Sequence, residues 1–108
     1  MADFEPEKFE EKYVHYFAEL QRAYRNAFEA MNERHDSELV HAIDQRVLDE
    51  SEPLYEDGRF RVALPEAPHE RVADAGVAVD EAAFEETLGR YVDRIEAELY
   101  RAFDVERP

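Results

Sequence analysis

Neither glycine nor proline occurs between Pro6 and Pro53, and apolar residues recur through the first part of that stretch at steps of four and three. Phe9, Tyr13, Phe17, Leu20, Tyr24, Ala27 and Met31 therefore share one helical face, because positions three or four apart stack above one another. Tyr16 and Phe28 widen the stripe, while Glu11, Arg22, Arg25, Asn26, Glu29 and Glu33 make the opposite, solvated face. Pro6 suits a first helical turn, and Glu7, Glu10 and Glu11 complement the positive end of the helix dipole. The spacing predicts a helix over 6–34.

Asp36-Ser37 is an N-cap signal for a second helix over 37–51, carried by Leu39, Val40, Ile43, Val47 and Leu48. A single bent helix of roughly 45 residues is the alternative, though far longer than usual. A break near His35-Asp36-Ser37 is preferred, and Pro53 ends whichever helix reaches it. Beyond it, Asp57-Gly58 is a turn signal and 59–64 alternates polar and apolar residues as a half-buried strand does. Gly76 precedes Val77-Ala78-Val79, so 76–79 is expected as the second strand of a small ribbon. Asp80 caps a last helix over 81–103, with Phe84, Leu88, Tyr91, Val92, Ile95, Leu99, Ala102 and Phe103 on its inner face. Gly89 interrupts that helix, and close approach of a neighbour is the expected reason. The fold class is mainly α with a minor two-stranded β ribbon (α+β by strict count), in a single domain over 1–108.

Charge sets the next constraint. Twenty-eight Asp and Glu face thirteen Lys and Arg, a formal net charge of −15, and Lys8 and Lys12 are the two lysines. Disordered acidic tails carry few aromatics, whereas this chain is 44% hydrophobic and 12% aromatic, so a folded domain with an acidic coat is expected. Scarce lysine with no cysteine points to a salt-adapted cytoplasmic protein. Without cysteine there are no disulfides, thiol nucleophiles or Cys-ligated metals. The N-terminal residues lack the basic and apolar regions of a signal peptide, and no run is apolar enough to span a membrane.

No motif fixes an activity. The histidine pair His35 and His41, six apart, lies on different helical faces, with Asp36 and Glu38 between, so no metal ligand set is assigned. His15 and His69 stand alone. Carboxylate pairs such as Glu10-Glu11 and Glu85-Glu86 sit in hydrophilic runs near helix starts, where dipole and capping effects account for them. Ser37, Ser51 and Thr87 lack a Gly-rich or elbow setting. No catalytic residue and no cofactor is assigned.

Two surfaces stand out. A first helix of about 29 residues would measure roughly 43 Å, against a radius of gyration of about 13 Å for a compact domain of this size. A homodimer packing long helices across a two-fold axis would resolve that mismatch. The candidate interface is Tyr13, Phe17, Leu20, Tyr24, Phe28, Leu88, Tyr91 and Ile95. Tyrosines on the first and last helices also suggest a partly open, ligand-sized seam. The candidate basic patch is Arg59, Arg61 and Arg71 around the ribbon. Helices, ribbon and a long last helix loosely resemble winged-helix regulators, but the residues from Ser37 to Glu52 carry Glu38, Asp44, Asp49, Glu50 and Glu52 and would repel phosphate.

The stretch Lys12-Tyr13-Val14-His15-Tyr16-Phe17 with Leu20-Gln21-Arg22-Ala23-Tyr24, and the run from Asp36 to Gln45 leading on to Glu52-Pro53, resemble a small family of uncharacterised haloarchaeal proteins. The resemblance covers nearly the whole chain and implies a halophilic archaeal source. It implies no catalytic or ligand residues. Three readings of function follow: a homodimeric interaction or adaptor module, a divergent winged-helix-like regulator, and a small-ligand binder or enzyme at the tyrosine-lined seam.

Overall fold

The computed structural model describes residues 4–108. Met1–Asp3, which begin the segment read as lacking leader character, lie outside the described residues. The protein is mainly α with a two-stranded antiparallel ribbon. A 3-10 turn, Pro6–Glu11, leads into α1 (Lys12–His15), α2 (Phe17–Arg34) and α3 (Ser37–Arg46). A second 3-10 turn, Leu48–Glu50, precedes β1 (Glu52–Glu56) and β2 (Arg59–Ala63), followed by α4 (Pro68–Asp74) and α5 (Glu81–Phe103).

The expected helix over 6–34 is three pieces. Its first turns are 3-10, and the chain bends at Tyr16, where φ is −130° and ψ 22°. A 3-10 turn stacks every third residue, so Phe9 and Lys12 turn inward, Tyr16 follows, and Tyr13 and Phe17 are left outside. Beyond the bend, Leu20, Ala23, Ala27 and Met31 keep a regular buried stripe. Lys12 is buried because Glu52 meets it: Lys12 Nζ donates to Glu52 Oε2 at 2.9 Å and lies over the rings of Phe9 and Tyr13. His35 adopts extended geometry and ends α2, and Asp36 starts α3.

The ribbon differs from expectation in one strand. β2 pairs with Glu52–Glu56, and 76–79 is not a strand. Asp57 and Gly58 both take positive φ, 51° and 79°, as a two-residue hairpin loop requires. Pro53 is the reason β1 was concealed, since proline usually argues against a strand. Here it faces Val62 across the ladder. The Phe60 N–H points away from β1, to Tyr100, so alternation turns the Pro53 nitrogen outward too and no ladder bond is lost. Gly76, with φ 89°, closes the C-terminus of α4, and His69 Nε2 bonds the Val79 carbonyl at 2.8 Å, which holds 77–79 as coil.

α5 packs mainly along α2, and their apolar faces make the centre of the core. Burial of Phe84, Leu88, Tyr91, Ile95 and Leu99 against that face stabilises the pair by roughly 1.5–3 kcal/mol per large side chain. A second aromatic centre lies where the N-terminal turn meets the ribbon and the end of α5. Phe60 stacks on Phe103 at 5.4 Å, with Phe4, Phe9, Tyr16 and Tyr55 around them. The Glu5 N–H donates to the Tyr16 hydroxyl at 3.0 Å and pins that turn. Gly89 is not explained by close packing: no atom of another element lies within 4 Å of where its Cβ would sit.

The length mismatch behind the expected dimer is met within the chain. The bends at Tyr16 and His35 leave α2 with 18 residues, and α5 runs alongside it. The molecule measures 43 × 26 × 23 Å, with a radius of gyration of 14.2 Å.

Candidate functional site

Tyr13 and Phe17 are the residues that the bend at Tyr16 brings to the surface, 56% and 50% exposed, with Val14 beside them. They form the rim of a cleft of about 320 Å³ between the start of α2, the end of α3 and the entry to β1. Its floor is apolar and buried, made by Leu20, Leu48 and Pro53. Its polar lining is Gln21, Tyr24, Asp44, Asp49 and Ser51, with no basic side chain. A cavity of this size is at the lower end of those that hold small ligands.

The hydrogen bonds at its wall have a definite sense. Ser51 Oγ donates to the Leu48 carbonyl at 2.6 Å, which uses its one proton. The Tyr24 hydroxyl, 3.1 Å from Ser51 Oγ, must therefore be the donor in that contact. Burial pushes the Tyr24 pKa up to about 12, so the phenol keeps the proton this bond needs. Asp44 is half-buried; burial and then the Asp49 charge raise its pKa, while His41 and the Tyr91 hydroxyl pull it down. Behind Asp44, the Tyr91 hydroxyl is buried and makes no hydrogen bond within proper geometry. Burial, followed by the Asp44 charge, holds it protonated far above the ordinary tyrosine range.

The structure divides the expected interface. Tyr13 and Phe17 are exposed, and Tyr24 and Phe28 are half-buried, Phe28 edge-on to His41 at 4.9 Å. Leu20, Leu88, Tyr91 and Ile95 are each under 5% exposed; the chain itself covers the three on α5, and Leu20 lies at the cleft floor. The tyrosine seam is displaced as well. It opens toward α3 and β1, whereas Tyr91 and Tyr100 on α5 are inside the core. Asp44, Asp49 and Ser51 were not read as site residues. Nothing local marks them, because only the fold of α3 back along α2 brings them to Tyr24.

The three arginines do not form a free basic patch. Arg61 pairs with Glu56 at 3.1 Å, and Glu56 also faces Arg59 across the ladder. Arg71 is ion-paired with Glu50 and donates from Nε to the Glu66 carbonyl. Carboxylates thus meet two of the three arginines, Arg61 and Arg71. Among the described residues, no three His, Asp or Glu side chains are grouped to hold a metal ion. Among the described residues, no helix is long and apolar enough to cross a membrane.

No curated protein and no solved structure matches the chain. Residues 1–106 match a family of unknown function (DUF5783), and the chain belongs to that family.

Proposed function

We propose that the protein is a salt-adapted binding module whose working surface is the cleft rimmed by Tyr13 and Phe17. One observation carries this reading. A chain that buries its other rings at least partly leaves these two half-exposed, both at one cleft with an apolar floor. An exposed aromatic pair over a hollow supports ligand or side-chain docking better than it supports stability. The coat of −15 keeps such a surface from promiscuous association at low ionic strength.

Titration with benzyl alcohol, followed through the ring resonances of Tyr13, Phe17 and Tyr24, tests the reading. Saturable shifts confined to these rings are expected, and Phe17→Ala should weaken them several-fold. Shifts that stay linear, or spread over the whole surface, would contradict it.

Val14, 75% exposed and adjacent to the rim, favours a second reading in which two copies meet on this face. Light scattering at about 1 M KCl, where the Debye length is about 3 Å, should then give twice the chain mass, and Phe17→Glu should give the chain mass alone.

A further inference from the structure

The occupant's chemistry follows from which hydrogen-bond roles the cleft leaves open, a step that rests on the cleft being the binding surface. Ser51 spends its proton on the Leu48 carbonyl, and Tyr24 spends its own on Ser51. What Tyr24 still offers a visitor is its oxygen lone pairs. Asp44 and Asp49 add carboxylates, which accept only. Apart from the amide of Gln21 and the hydroxyl of Tyr13, which serve either role, the side-chain polar groups present acceptors.

Sign and shape agree with that census. No Lys or Arg lines the cleft; His41, outside it, offsets Asp44 in part, and the repulsion between Asp44 and Asp49 still contributes to the raised Asp44 pKa. A bound positive charge would relieve it. The rim rings of Tyr13 and Phe17 are the surfaces on which a cation rests favourably. The chain already uses one of them this way, with Lys12 Nζ 5.3 Å from the centre of the Tyr13 ring.

We infer that the cleft selects an organic cation carrying N–H donors, a primary ammonium or guanidinium group on an apolar body, over neutral and anionic molecules of the same shape. The apolar body covers Leu20, and the donors reach Tyr24, Asp44 and Asp49. Such a group comes either as a free amine or as the lysine or arginine side chain of a partner. Both carry the same chemistry.

Three isosteric probes separate the claims: benzylamine, benzyl alcohol and benzoate, titrated at one KCl concentration and followed on the Tyr13 and Phe17 rings. Benzylamine should bind at least about tenfold tighter than benzyl alcohol, a difference of about 1.4 kcal/mol, with benzoate weakest. In Asp44→Asn/Asp49→Asn, checked for folding by circular dichroism, that preference should fall below about threefold. Equal binding of amine and alcohol by the native protein would overturn the cation inference and leave the cleft as the binding surface. No saturable binding by any probe would remove both. A lysine peptide blocked at both ends identifies the source: tighter binding than benzylamine assigns the cleft to a partner's side chain, weaker binding to a free amine.

Discussion

The backbone N–H of Phe60 donates to the hydroxyl of Tyr100 at 3.0 Å, inside the core. The bond joins the outer edge of β2 to α5, so the ribbon is held by a helix. Two strands alone are marginal in water. With Tyr100 in place, β1 is positioned to meet α1 through Lys12 and Glu52, which sets the bend that exposes Tyr13 and Phe17.

Tyr100→Phe keeps the ring and leaves the Phe60 N–H buried without a partner. A loss of about 1–3 kcal/mol is expected, seen as a lower thermal midpoint. Exchange of the Phe60 amide should accelerate with it. An unchanged midpoint would mean that the ribbon is not anchored there.

The pH dependence of Asp44 has a sign opposite to that of a salt-bridged carboxylate. Burial first, and then Asp49, raise its folded pKa above the ordinary 3.8. Between 3.8 and that raised value the folded state binds more protons than the unfolded state, so stability falls as pH rises through the window. Glu96, also raised chiefly by burial, adds in the same direction. Asp44→Asn should therefore lie above the native protein at neutral pH, with the two converging at acid pH. Denaturant unfolding at a series of pH values checks this, and parallel curves would contradict it.

Gly89 lies within α5 with open space where a Cβ would go. Gly89→Ala should stabilise the protein by about 0.5–1 kcal/mol, the entropy that glycine loses in a helix interior. A destabilised variant would show that the position serves a contact outside the chain.

Self-repulsion at −15 is weakened as the Debye length shrinks from about 10 Å at 0.1 M salt to about 3 Å at 1 M. The thermal midpoint should climb over that range of KCl. The exposed pair Arg90–Glu86 contributes under about 1 kcal/mol, so its screening will not reverse the trend. A midpoint that fell with salt would place the stability in ion pairs.

How much was legible in the sequence depended on whether the deciding contact was local. The stripe from Leu20 to Met31 and the inner face of α5 follow from periodicity, and the Asp57-Gly58 turn follows from its φ requirement. The inward turn of Lys12 did not, because a charged residue reads as solvated until Glu52, forty positions on, supplies its partner. Periodicity alone placed Tyr13 and Phe17 inside. β1 was hidden by Pro53, whose nitrogen happens to face away from its neighbour strand. Of the cleft, only the tyrosines of the first helix, Tyr13 and Tyr24, were legible. Its acidic wall was not, since Asp44 and Asp49 look like any other acids in a chain this acidic.

Intermolecular nuclear Overhauser contacts from the ring protons of bound benzylamine test the central claim most directly, because they locate the occupant. Cross-peaks to Tyr13, Phe17 and Leu20 are predicted, with those to Tyr13 and Leu20 weakened in Phe17→Ala. Contacts to residues remote from the cleft, such as Met31 and Ala97, or cross-peaks undiminished in the variant, would contradict it.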